Sequence, residues 1–136
     1  MKAIIPYINF NGKCREAMTF YHRTFDGDLE LQEVRGSYIE ATWSGSKDEI
    51  LHASLTVEGQ LVLMGSDMRD QLGYEKGNDF ALSMSCNSED EAHNYYARLL
   101  EDGRILSPLE RQFWGGLFGS LQDRFGIKWM VVFSDK

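Results

Sequence analysis

Apolar and polar positions along the chain lay out one order of elements twice: a strand, an amphipathic helix, then a run of short strands. In the first copy, Ala3 to Phe10 alternates, with Ile4, Pro6, Ile8 and Phe10 on one face and Ile5 and Tyr7 on the other. A strand apolar on both sides is expected to be covered on both sides, and Pro6 to sit where no ladder donor is needed. Cys14, Ala17, Met18, Tyr21 and Phe25 recur at helical spacing, and Gly27 is the expected stop. Leu29 to Val34 reads as the second strand. Residues 35–49 carry Gly36 and Gly45 and show little period outside Tyr38 to Trp43, which predicts a long excursion with room for a short strand and a candidate mobile flap. Ile50 to Val57 alternates cleanly, Leu51, Ala53, Leu55 and Val57 against His52, Ser54 and Thr56. Glu58-Gly59 then turns a hairpin into Gln60 to Gly65.

The second copy follows a polar stretch, Ser66 to Gly77, read as a linker. Asn78 to Cys86 predicts a strand with Phe80, Leu82 and Met84 on one face. Ser88 and Glu91 form a capping-box pattern ahead of a helix whose stripe is Ala92, Tyr95, Tyr96, Leu99 and Leu100, closed by Gly103. Arg104 to Ser107, Leu117 to Leu121 and Ile127 to Phe133 supply the remaining strands. Module one thus covers about 2–65 and module two about 78–133. Each exposes an apolar face it cannot cover alone, so the two are expected to pack as a single domain over 1–136 with a cleft.

Composition narrows the partners more than the fold. The chain has 136 residues, 43% of them apolar and 26% charged, as expected of one soluble globular domain. No apolar run approaches the roughly 18 residues of a membrane span. The start is too short in apolar residues for a signal peptide, so a cytoplasmic location is expected. Net charge is −7 with no basic cluster, which makes nucleic acid and anionic lipid poor partners. Cys14 and Cys86 lie far apart without a C-x-x-C pattern and are expected to be reduced, buried thiols. No phosphate-binding G-x-x-x-x-G-K-[ST] and no G-x-G-x-x-G after a strand is present.

Several phrases carry a family likeness. These are Phe10-Asn11-Gly12-Lys13-Cys14-Arg15-Glu16-Ala17, Phe20-Tyr21, Phe25-Asp26-Gly27, Ile50-Leu51-His52-Ala53-Ser54-Leu55 and Leu63-Met64-Gly65-Ser66-Asp67. Trp114-Gly115, Phe118-Gly119 and Asp123-Arg124-Phe125-Gly126-Ile127-Lys128-Trp129 complete the set. In content and order the chain resembles the PhnB-like branch of the vicinal oxygen chelate superfamily (glyoxalases, extradiol dioxygenases, bleomycin-resistance proteins). The resemblance implies an α+β fold of two βαβββ modules forming a cupped mixed sheet, and a homodimer. In metal-dependent members, His and Glu ligands point into the cup. The matching positions here are Pro6, Phe80, Met130 and one near Met64. Thioethers and phenyl rings do not hold a divalent cation, so no cofactor is expected. Some relatives carry a demethylubiquinone-type methyltransferase label. The chain lacks the glycine-rich loop and parallel-strand alternation of the usual cofactor domain, and that activity is not expected.

The cup is then expected to be apolar, lined by Ile4, Ile8, Leu82, Met84, Lys128 and Val132 besides the three matched strand positions. A small-molecule ligand is the expected partner, with Met64, Phe80, Trp114 and Trp129 giving contact area, His52, Asp67 and Lys128 giving orientation, and Met130 also lining the site. His52 is read first as a structural histidine and alternatively as a general base. A metal held by His52 with Asp67 and Asp123 is the less favoured option. For Asp67, and for Asp123 with Arg124, a turn or capping role is favoured over ligand contact. Trp114, in Phe113-Trp114-Gly115-Gly116, suits either a gate on a flat ligand or a rim aromatic. Cys14 is read as inert, since catalysis would require access and a depressed pKa. The leading function is a metal-independent binder of a small hydrophobic or aromatic molecule. The rivals are a lyase, isomerase or dioxygenase-type enzyme, and a dimeric scaffold whose cup is an interface.

Overall fold

The computed structural model describes residues 1–69 and 73–135, which divide into two compact units, Met1–Lys76 and Gly77–Lys136. The first strand is shorter than its apolar run: β1 is Tyr7–Asn9. The Pro6 carbonyl accepts from Met64 N at 3.0 Å, and Phe10 N donates to Ser66 O at 2.9 Å. Pro6 therefore contributes an acceptor on an edge strand, where its missing donor costs nothing. The expected cover on both sides is not found, since Ile4 is 85% and Tyr7 51% exposed.

Helix α1 (Cys14–Phe25) buries Cys14, Ala17, Met18, Phe20, Tyr21 and Thr24, whereas Phe25 is half-buried. Strand β2 (Asp28–Glu33) starts one residue earlier than the pattern predicts. Residues 35–49 hold a single 3-10 turn, Glu40–Thr42, in place of a strand. They are tied back by Val34 N to Glu49 O (2.8 Å) and Arg35 N to Lys47 O (2.9 Å). Trp43 Nε1 also donates to Glu49 Oε1 at 3.1 Å. Strand β3 (Ile50–Val57) follows the predicted bounds, and β4 (Gln60–Ser66) returns from Glu58-Gly59. Both turn residues have positive φ, 52° and 77°, which suits a turn whose twist matches the strands. The sheet order is β1-β4-β3-β2, with β1 and β4 parallel and the other pairs antiparallel.

The second unit repeats this order. Strand β5 (Leu82–Cys86) omits the first residues of the predicted run, leaving Phe80 outside it and 85% exposed. Helix α2 (Glu89–Leu100) is capped by Ser88, whose Oγ accepts from Glu91 N at 3.1 Å. The return bond differs from the predicted box: Glu91 Oε1 accepts from Asn87 N rather than Ser88 N, at 3.0 Å. Strand β6 (Arg104–Arg111) runs past the predicted end at Ser107. It accommodates Pro108 because β6 is an edge strand with two register shifts. Strands β7 (Leu117–Gln122) and β8 (Lys128–Phe133) complete the order β5-β8-β7-β6, with β5 and β8 parallel.

One backbone device occurs in both units. Asp26 (φ 51°) and Asp102 (φ 59°) take the left-handed conformation after their helices, a role expected of the glycines that follow. Gly27 and Gly103 serve a different need. A Cβ on Gly27 would collide with the Thr56 carbonyl, and one on Gly103 with the Gln122 carbonyl. The glycines let the chain pass close over the neighbouring strand.

Candidate functional site

Within each unit one face of the sheet packs on the unit's own helix, and the registers decide which residues look the other way. In the first unit, Ile8, Gly65, Ala53 and Leu31 share a row. This is the α1 side: Ala53 is fully buried, and a Cβ on Gly65 would lie 2.7 Å from the Phe10 ring, which packs on Tyr21. The opposite, open face carries the row Tyr7, Met64, Ser54 and Glu30, with His52 across from Gln32. In the second unit, Met84, Val131 and Gly119 look toward α2, since a Cβ on Gly119 would come within 2.9 Å of the Tyr96 ring. Its open face carries Ser83, Met130 and Ser120, beside Ser85, Val132 and Phe118.

These rows correct the expected grouping. Leu82 pairs with Trp129 and Met84 with Val131, so both share the helix side, while Met130 pairs with Ser83 on the open side. Pro6 falls in step with Ile8 on the α1 side, leaving Tyr7 as the β1 residue beside Met64. Ile4 and Phe80 lie outside the strands and are exposed. A common inward face for Pro6, Ile4, Ile8, Phe80, Leu82, Met84 and Met130 therefore does not form. The two tryptophan and methionine neighbours are split by alternation: Trp129 is 6% exposed, and its Nε1 donates to Asp123 Oδ2 at 2.9 Å.

Both aspartates are engaged by the backbone. Asp67 is 1% exposed. Its Oδ1 accepts from Gly12 N (2.7 Å) and Cys14 N (3.0 Å), and its Oδ2 from Ile50 N (2.8 Å). One carboxylate thus joins the end of β4 to the start of α1 and the start of β3. Neither oxygen faces an open sheet surface, which corrects the ligand-orienting alternative for Asp67. Asp123 Oδ1 accepts from Phe125 N (2.8 Å) and Ile127 N (3.0 Å), closing the turn before β8. Arg124 pairs with Glu101 at 2.9 Å.

The other candidates are spread out. Trp114 is half-buried in the β6–β7 connection, its ring against Gly116, while Phe113 beside it is fully exposed. Lys128 pairs with Gln122 on the second open face, and its Nζ donates to Asn78 O at 2.8 Å. Burial, reinforced by the Asp67 carboxylate against a smaller opposing pull from Arg15, pushes the Cys14 thiol up to about 12. Burial and then Glu91 push Cys86 up to about 11. Both are inert thiols at neutral pH.

His52 has the companion that sequence reasoning missed. The Tyr7 hydroxyl lies 3.5 Å from His52 Nδ1, and the two rings are 5.8 Å apart at a tilt of 37°. The sequence pattern places Tyr7 on the reverse side of an all-apolar strand, and the parallel β1–β4 register brings it to the His52 face. Among the described residues no group of three or more His, Cys, Asp or Glu side chains is placed to hold a metal ion. Of the four family-matched positions, Pro6 lies on the α1 side, Phe80 lies outside the strands, and Met64 and Met130 bring only thioethers, so these positions do not fit the superfamily's metal. No helix among the described residues is long and apolar enough to cross a membrane.

The model of the 3-demethylubiquinone-9 3-methyltransferase family matches residues 2–132. Protein PA1353 from Pseudomonas aeruginosa is similar in structure (TM-score 0.86, 36% identity, 98% of each chain). So is a putative 3-demethylubiquinone-9 3-methyltransferase, PhnB protein, from Bacillus cereus (TM-score 0.79, 28% identity, 98% of this chain and 100% of that one). A glyoxalase-related enzyme from Fulvimarina pelagi shares the fold (TM-score 0.66, 18% identity, 98% of this chain and 89% of that one).

Proposed function

Since the chain belongs to the 3-demethylubiquinone-9 3-methyltransferase family, the PhnB-like branch of the vicinal oxygen chelate superfamily, we propose that it binds a small hydrophobic or aromatic molecule without a metal ion. The observation that supports this most is the open face of the first unit, where Tyr7 and Met64 lie beside the polar groups of Ser54, His52 and Gln32. Apolar surface with few polar anchors suits a small organic ligand. The methyl transfer in the family description is not carried over. Each sheet holds one parallel pair, β1–β4 or β5–β8, rather than the doubly wound parallel sheet of the usual nucleotide-cofactor domain. The protein works as a homodimer in this reading, in keeping with the exposure of Ile4 and Phe80, both 85%.

Three measurements on one purified sample test the proposal: native mass, elemental content, and extraction of small molecules for mass spectrometry. The expected result is a dimer that carries an organic ligand at stoichiometric level and keeps it through chelator treatment. A stoichiometric transition metal lost on His52→Ala would move the chain to the enzyme reading.

A further inference from the structure

We propose that the Tyr7–His52 pair selects ligands that are uncharged aromatics bearing a hydroxyl group. This deepens the binding reading above and rests on it. The chemistry starts from the imidazole. Neutral histidine carries one N–H and one bare nitrogen, and the partner of one nitrogen decides the state of the other. Tyr7 places its hydroxyl at Nδ1, 3.5 Å away. In this proposal the phenol is the donor, which makes Nδ1 the acceptor and puts the imidazole proton on Nε2. Nε2 has no hydrogen-bond partner among the described residues, and His52 is half-buried on the open face. It is an N–H donor waiting for an oxygen.

The neighbours decide what carries that oxygen. Tyr7 and Met64 are cross-strand partners on the same face, so an aromatic ring and a thioether lie side by side, a surface favourable to another flat ring. The charged residues that the registers place on this face are Glu30 and Asp28, through Ser54 and Thr56, with no Lys or Arg among them. A carboxylate or phosphate ligand would meet repulsion there, whereas a neutral hydroxyl would not. A phenolic oxygen accepts from His52 Nε2, and its own proton can reach the nearby Ser54 hydroxyl or Gln32 amide oxygen.

The test uses two probes of one shape, p-cresol and p-xylene, titrated calorimetrically into the full-length protein at pH 7. The proposal expects p-cresol to bind about five-fold more tightly or better, the scale of one added hydrogen bond. His52→Ala should bring the two probes to parity with little change for p-xylene, and Tyr7→Phe should shrink the preference. Nitrogen-15 spectra of labelled histidine give a readout independent of any variant's folding: p-cresol, not p-xylene, should shift His52 Nε2. Equal affinities for the two probes in the wild type, or a preference that survives His52→Ala, overturns the hydroxyl selection and leaves the binding reading standing. Failure of both probes to bind overturns the hydroxyl selection as well, while the binding reading stands or falls on the extracted-ligand measurement above.

Discussion

Asp67 shows how much one side chain organises the first unit. Its carboxylate accepts three backbone N–H groups, those of Cys14 and Ile50 in buried bonds and that of Gly12 in a part-buried one. Removing it leaves the Cys14 and Ile50 donors buried and unpaired, so Asp67→Ala should cost about 3 kcal/mol, read as a lower urea midpoint at unchanged slope. Asp67→Asn should recover part of the loss. Cys14 gives a second, pH-dependent prediction. Its folded value of about 12 exceeds the ordinary 9.0, so the folded chain holds the thiol proton more tightly than the unfolded one. That contribution is complete below pH 9 and declines as the pH rises toward 12, by up to about 1.4 kcal/mol per pH unit. Chemical denaturation across this range should show a steeper alkaline decline for the wild type than for Cys14→Ala.

At the scale of elements, the Asp-Gly steps after both helices make a paired prediction. Gly27→Ala and Gly103→Ala each set a methyl group against a strand carbonyl, so each should destabilise by about 1–3 kcal/mol, measured by thermal or urea unfolding. Gly59→Ala meets no atom within 4 Å and should lose only what its positive φ of 77° imposes. Elements with a strict period are legible in the sequence. The 2-residue period of Ile50–Val57 and the stripe Cys14, Ala17, Met18 and Tyr21 both correspond to observed elements. Strand β6 runs four residues past the expected Ser107 because an edge strand tolerates Pro108, and edge position is set by pairing rather than by local pattern. The hydrophobic pattern points to the glycines as helix stops because an aspartate at positive φ leaves no mark in it.

For the molecule as a whole, the doubled βαβββ order was readable from the chain, and the two sheets share one strand order. The candidate site was much less so. Alternation sorts a strand into two sides but does not say which side meets the helix; that depends on the pairing partner. Hence the pattern alone groups Met130 with Leu82, whereas Leu82 pairs with Trp129 on the helix side, and it gives no sign that Tyr7 pairs with Met64. Asp123 and Trp129 illustrate the other gap, because a carboxylate clasping an indole six residues later is visible only in three dimensions. The recurrence of Asp26-Gly27 and Asp102-Gly103 also bears on how the protein ages. Aspartyl-glycyl bonds are where proteins rearrange to isoaspartate during storage, which threads one extra carbon into the main chain. Here that lengthening would fall where each glycine already lies hard against a strand, so chemical wear at the same step would loosen both halves in the same way.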